Sequence, residues 1–300
     1  MSEIMRVSSI SQLHGFIGYD KPLHPMVTLI DFSKVDVCVT EDVGQAIFGL
    51  YGIIFKKTTS SNFKYGRKDY DFNEAALLCI APEQLLATMG YNVAEGSEGW
   101  GLFFHSDLIR CSFLNEKIKD YTFFSYDMNE ALHLSEQEND TLLSVLKTIQ
   151  HEYSINMDNV STDLIISNIE MLLNYCKRFY GRQFITRSTA NHSVVKKFEQ
   201  LVAAYFENEN CEGLPSVKYC AENLNLSPNY LSDLLKQETG KSAIEHIHYH
   251  LIDRAKNLLV NTTETVSEIA YSLGFEQPQS FSKLFKKKMG VTPGKFRNKR

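Results

Sequence analysis

The stretch TVSEIAYSLGFEQPQSFSKLFKKKMGVTP, residues 265–293, decides the fold, because SVKYCAENLNLSPNYLSDLLKQETGKS, residues 216–242, carries the same pattern upstream. Val217, Cys220, Ala221 and Leu224 answer Val266, Ile269, Ala270 and Leu273 at an offset of 49. Past the turn, Leu234, Leu235, Lys236 and Gly240 answer Leu284, Phe285, Lys286 and Gly290 at an offset of 50. One residue has been added in the turn while the flanking helices keep their register, the mark of a duplicated supersecondary unit.

Each copy carries its own boundary chemistry. Ser216 and Thr265 sit where a helix N-cap is needed, and Glu268 three residues after Thr265 completes a capping box in which each residue satisfies a free backbone N–H. Ser227-Pro228 and Pro278 begin the second helices, since a proline in a first turn loses no hydrogen bond. Gly240 and Gly290 end them. Two short helices joined by a tight turn, written twice, offer a second helix to a DNA major groove. Between the copies Ile244, Ile247, Leu251, Ile252, Ala255, Leu258 and Leu259 recur at three- and four-residue spacing, which predicts one amphipathic joining helix.

Within EIAYSLGFEQPQSFSKLFKKKMGVTPGKFR, the residues Ile269-Ala270, Gly274-Phe275, Phe281, Phe285-Lys286, Gly290, Pro293 and Arg297 resemble the C-terminal signature of the AraC/XylS family of bacterial transcription regulators. The resemblance covers residues 194–300 and implies an all-α domain with two helix-turn-helix motifs reading successive major-groove segments of promoter DNA. Base-contacting positions of the family fall on Asn229, Ser232 and Asp233 in the first recognition helix and on Gln279, Ser280 and Lys283 in the second. Lys236, Lys286 and Lys287 complete the expected DNA-binding set. Leu231, Leu234, Leu235, Phe281, Leu284 and Phe285 are expected to face the core. Asn and Gln can each bond adenine through two atoms. Asp233, where many relatives carry a bulky or basic residue, is an acidic reader that favours cytosine.

Charge separates along the chain. The net charge is −5, which alone argues against a nucleic-acid binder. Residues 191–300 hold 15 Lys+Arg and 12 Asp+Glu, net +3, leaving net −8 for residues 1–190. From Lys283 to Arg300 there are eight basic residues and no acidic one, an electrostatic footprint for phosphates.

Three hundred residues with 43% hydrophobic content suit two domains with buried cores. No apolar run approaches the ~20 residues that span a bilayer, and MSEIMRVSSISQ has no signal-peptide core, so a soluble cytoplasmic protein is expected without membrane contact. Cys38, Cys79, Cys111, Cys176, Cys211 and Cys220 form no CxxC pair and read as small apolar residues.

Residues 1–133 read as strands without intervening helices: VTLIDF (27–32), VDVCVT (35–40), IFGLYGIIFKK (47–57), KYGRKDYDF (64–72), AALLCIA (75–81) and WGLFFH (100–105). Such a series implies an antiparallel sandwich or barrel. Beside the C-terminal family it resembles a cupin-like jelly roll serving as sensor, giving an α+β multidomain chain. His14, His24, His105 and His133 form no HxH pair, so no metal, no cofactor and no enzymatic activity are expected. In EHIHYH only His246 and His250 share a helix face, which is not a metal site.

Residues 134–184 turn helical. Ile165, Ile169, Leu172, Cys176 and Phe179 step by four and three, the seam spacing of a coiled coil, and are expected to join two chains as a homodimer. Leu164, Met171 and Tyr175 supply a second apolar face for packing on the sensor. ITRSTANHS, residues 185–193, reads as a polar linker, and VVKKFEQLVAAYFEN opens the DNA-binding domain. The expected whole is a regulator, taken as an activator contacting RNA polymerase, controlled by a small organic effector in the N-terminal domain. The alternatives are a metal-dependent cupin-like enzyme fused to a DNA-binding module, and a protein-interaction platform with no small ligand.

Overall fold

A computed structural model describes residues 5–35, 45–57, 64–65, 68–69, 76–87, 98–155, 158, 160–207 and 213–298. The chain forms two compact units, Met1–Gln183 and Phe184–Arg300.

In the first unit the chain order is β1 (Met5–Val7), α1 (Ile10–Phe16), β2 (Val27–Asp31), β3 (Gln45–Phe48), β4 (Leu50–Lys56), β5 (Lys64–Tyr65), β6 (Lys68–Asp69), β7 (Ala76–Ile80), β8 (Gln84–Ala87) and β9 (Gly99–His105). There follow α2 (Ser106–Ile109), α3 (Phe113–Lys117), three 3-10 turns, β10 (Leu132–His133), α4 (Glu136–Ser154) and α5 (Ser161–Thr186). The main sheet is antiparallel with strand order β10-β7-β4-β9-β2. A second sheet runs β1-β3-β8, and its β1–β3 pair is parallel.

The strand expectations need two corrections. The run 47–57 is two strands, since the chain passes from β3 in one sheet to β4 in the other at Gly49, whose N–H donates to Val7 O at 2.8 Å. A continuous apolar run has no alternation to mark such a switch. Short helices flank the six expected strands, α1 before the first and α2 and α3 after the last, and they start at side-chain caps, Ser9, His105 and Ser112, too short to show a 3.6-residue period. Of VDVCVT and KYGRKDYDF, residues 36–40, 66–67 and 70–72 lie outside the described residues.

The seam on α5 is also corrected. Ile165, Ile169, Leu172 and Cys176 are all 0% exposed and Phe179 is 6%, so the stripe is covered by the first unit itself. The Cys79 thiol on β7 meets Cys176, and Phe123 stacks on Tyr180 at 5.4 Å. Burial, ahead of that thiol contact, holds Cys79 well above the usual thiol range. The two faces are exchanged, because Leu164 and Met171, expected to pack inward, are 44% and 42% exposed. Both stripes have helical spacing, and spacing does not say which one meets a sheet.

The second unit is all helix: α6 (Ser188–Glu207), α7 (Val217–Leu224), α8 (Pro228–Thr239), α9 (Ala243–Asn261), α10 (Val266–Ser272), α11 (Pro278–Met289) and α12 (Pro293–Arg297). The polar linker expected at 185–193 is helical on both sides of Arg187, and α6 starts six residues before Val194. One of its polar residues is not a solvated spacer. Asn191 is 4% exposed, and its amide donates to Phe184 O and to Glu238 Oε1, both at 2.8 Å.

The duplication is a duplication of cores. Cys220, Ala221, Leu231 and Leu235 cluster with Phe198, Val202, Ala243 and Ile247, while Ile269, Ala270, Phe281 and Phe285 cluster with Leu251, Ile252, Ala255 and Leu259. Helix α9 therefore serves both cores, its first half one and its second half the other. Ile244, expected on its apolar face, is 46% exposed. Among the described residues no helix is long and apolar enough to cross a membrane.

Candidate nucleic-acid interface

The caps written in the sequence form as hydrogen bonds. Ser216 Oγ accepts from Tyr219 N at 3.0 Å, Ser227 Oγ from Tyr230 N at 3.3 Å and Thr265 Oγ1 from Glu268 N at 3.2 Å. Glu268 closes its box by accepting from Thr265 N at 2.6 Å, and a second box joins Ser242 and Glu245 at the start of α9. Accepting the Thr265 and Ser242 backbone N–H groups holds both carboxyls, Glu268 and Glu245, below their usual range. At the far ends Gly240 and Gly290 are left-handed, with φ 74° and 73°.

These boundaries set which way α8 and α11 turn. On α8, Tyr230, Leu231, Leu234 and Leu235 are buried, leaving Asn229 and Lys236 exposed and Ser232 and Asp233 half-exposed on the opposite side. On α11, Phe281 and Phe285 are buried and Leu284 half-buried, leaving Gln279, Ser280, Lys283, Lys286 and Lys287 exposed. All nine expected DNA-binding side chains thus stand on the outward faces of the two second helices, four on one and five on the other.

The turn before α11 is the tightest backbone approach in the unit. Gly274 has φ +85°, and a Cβ there would lie 2.4 Å from the backbone of Gly213. In the first copy Asn225 takes the same left-handed place with φ 55° and already carries a Cβ there. An open groove of about 780 Å³ lies beside Gly274, lined by Gly213, Leu214, Phe275, Gln277 and Ser280, and its Glu276 puts an acid at the entrance to α11.

Two basic residues depart from the sequence expectation. Arg297 belongs to the basic C-terminal run, yet it is half-buried and donates from Nε to Leu259 O at 3.1 Å, tying α12 to the end of α9. Lys288, outside the expected DNA-binding set, is exposed on α11. It stands near His248, whose pKa is lowered by burial first and by Lys288 and Lys287 next. Lys299 and Arg300 lie outside the described residues.

His246 is 8% exposed, bonds Thr239 Oγ1 at 2.7 Å and meets the Phe198 ring edge-on at 5.9 Å. It is a core histidine, with a pKa lowered by burial. In the first unit His14 is held by Thr28 Oγ1 at 2.9 Å and by Asp20 O. Among the described residues no three His, Cys, Asp or Glu side chains group to hold a metal.

Residues 220–299 match the family described as "Helix-turn-helix domain". The transcriptional regulatory protein YesN of Bacillus subtilis (strain 168), named as uncharacterized, is 36% identical over 110 residues, 36% of this chain and 29% of that protein. The xylose operon regulatory protein of Escherichia coli (strain K12) is 29% identical over 112 residues, 37% of this chain and 28% of that protein. Among solved structures, the C-terminal domain of AraT, a response regulator from Geobacillus stearothermophilus, is 34% identical over 36% of this chain and 85% of that one, with a TM-score of 0.32. The chain spans under a third of the length of those two curated relatives. Its second unit carries a helix-turn-helix domain. The two curated proteins are named as regulatory proteins.

Proposed function

We propose that this protein is a sequence-specific transcriptional regulator of the AraC type, which binds double-stranded promoter DNA through α8 and α11. The observation that carries this reading is the pair of capped second helices whose polar faces point outward from duplicated cores, one of them bearing four lysines and no acid between Lys283 and Lys288. Asn229, Ser232, Asp233, Gln279, Ser280 and Lys283 are the base readers in this proposal, while Lys236, Lys286 and Lys287 hold phosphates. The first unit acts as a cupin-like sensor for a small organic effector, and the regulator works as a cytoplasmic activator that contacts RNA polymerase as a homodimer. With the inner stripe of α5 covered, a dimer contact on that helix falls to the outer face, Leu164 and Met171.

The test uses the full chain and duplexes that it enriches from a random pool. Binding should weaken with salt along a log–log slope of about −0.9 per phosphate neutralised, and replacing Lys236, Lys286 and Lys287 by Ala should flatten the slope by about 0.9 for each phosphate left without its lysine. Gln279→Ala should instead relax preference at one base pair. A folded chain that enriches no duplex at low salt overturns the proposal.

A further inference from the structure

The two copies differ in what their second helices rest on. At the offset of 50, Tyr230 corresponds to Ser280 and Glu238 to Lys288. Ser280 and Lys288 are exposed, whereas Tyr230 is 4% exposed and the Glu238 side chain 9%. What covers them lies upstream of the matched residues 220–299. Phe184, 5% exposed, sets its ring 5.1 Å from that of Tyr230 in the first turn of α8. Asn191 donates to Glu238 in the last turn of α8 and also to Phe184 O, and His192 Nε2 lies 3.5 Å from the other Glu238 oxygen. Residues 184–192 thus grip α8 at both ends, and the faces carrying Asn229, Ser232, Asp233 and Lys236 lie between the grips. Helix α11 has polar side chains in solvent at both corresponding places.

The residues just before Phe184 are fastened just as closely, inside the first unit. Arg182 donates from Nε to Glu138 Oε1 at 3.0 Å and from Nη2 to Glu138 Oε2 at 2.7 Å, a two-point charge-assisted pair, and from Nη2 to His133 O at 2.6 Å. Gln183, 2% exposed, accepts from His133 N at 2.8 Å and donates to Ala131 O at 3.2 Å, so its amide continues the edge of β10. β10 pairs with β7, and β7 with β4 in the middle of the main sheet. Adjacent residues of one helix, Gln183 and Phe184, are therefore committed to different units.

We propose that Phe184 and Asn191 are positioning residues for the first recognition helix, and that the Arg182–Glu138 clamp lets the N-terminal unit tune the DNA half-site read by α8 while leaving the one read by α11 alone. The inference rests on the DNA-binding function proposed above. It acts through a difference in how α8 is held, and its reach is limited to the free energy of those few contacts.

The experiment uses the full chain with duplexes it enriches from a random pool, each half-site scrambled in turn, and Asn229→Ala and Gln279→Ala assign the halves to α8 and α11. The readout is the affinity ratio between the matched duplex and each half-scrambled one, with circular dichroism as the check on folding. Asn191→Ala should lower the ratio for the α8 half about tenfold, as expected for losing hydrogen bonds to a buried carboxylate, and leave the α11 ratio unchanged. Glu238→Gln keeps the acceptor for Asn191 and should retain most of the ratio. Phe184→Leu keeps most of the buried volume and should shift the same ratio in the same direction, which covers the case of an Asn191 variant that does not fold. Glu138→Gln, in the first unit, should do so by a smaller factor. Equal losses in both halves, or none in either, overturn the positioning role. A shift with Asn191→Ala and none with Glu138→Gln overturns control by the N-terminal unit. A wild-type chain that enriches no duplex fails the DNA-binding proposal instead.

Discussion

The two helix-turn-helix copies share a core and differ in almost everything outside it. Cys220, Ala221, Leu231 and Leu235 of the first are matched by Ile269, Ala270, Phe281 and Phe285 of the second, all 0% exposed. On the outside, α8 presents Asp233 and Lys236 and is gripped at both ends, whereas α11 presents a run of lysines and has Ser280 and Lys288 exposed at the corresponding places. Packing constrains volume at each inward position, so a duplicated core changes slowly in shape. An outward position is free to specialise, here toward a braced helix with a mixed-charge face in one copy and a row of exposed cations in the other.

The comparison is broken most directly in the cores. Phe281→Ala should destabilise the second unit by about 3–5 kcal/mol and Leu231→Ala by about 2–5 kcal/mol, since each leaves a cavity at a fully buried position. Urea unfolding of the full chain measures both, and a loss under about 1 kcal/mol at either position would mean that the two cores are not equivalent supports.

The turns should separate the copies by a smaller margin. Gly274→Ala combines a left-handed backbone, about 1–2 kcal/mol for a residue with a Cβ, with a collision against the Gly213 backbone that must shift to relieve it. Asn225 already carries a Cβ in that backbone, so Asn225→Ala should meet only part of the first cost and adds no new Cβ, and Asn225→Gly should be nearly neutral. Equal unfolding midpoints for Gly274→Ala and Asn225→Ala would show that the close approach to Gly213 carries no energy.

The caps give the smallest difference, visible against pH. Glu268 is held below the usual carboxyl range by the Thr265 N–H, whereas the corresponding place after Ser216 is Tyr219, which has no carboxyl. A folded-state pKa lowered in this way contributes stability that is fully present above the ordinary carboxyl value and is lost as pH falls through the lowered one. Amide exchange should therefore show α10 loosening on acidification from pH 6 to about 3 before α7 does. Glu268→Gln should remove that difference, and an α10 that loosens in step with α7 in the wild type would assign the acid response elsewhere.

The repeat, its caps at Ser216, Ser227 and Thr265, its glycine stops and the outward set on α8 and α11 were all legible in the residues alone. Each is a local signal, a side chain bonding a backbone group within three positions or a period of 3.6, and needs no knowledge of what lies across the fold. The fate of the two stripes on α5 was not legible, since both have the right spacing and only the first unit's own β7 and 3-10 segment decide that Ile165 to Phe179 turn inward and Leu164 and Met171 outward. The same holds for residues 185–193. Their polar composition matches a linker, but the partners that make Asn191 a core residue, Phe184 O and Glu238, lie 7 and 47 positions away. Short-range bonding and periodicity are properties of a segment and can be read from it. Burial is a property of what the segment meets, and that was decided only when the chain folded.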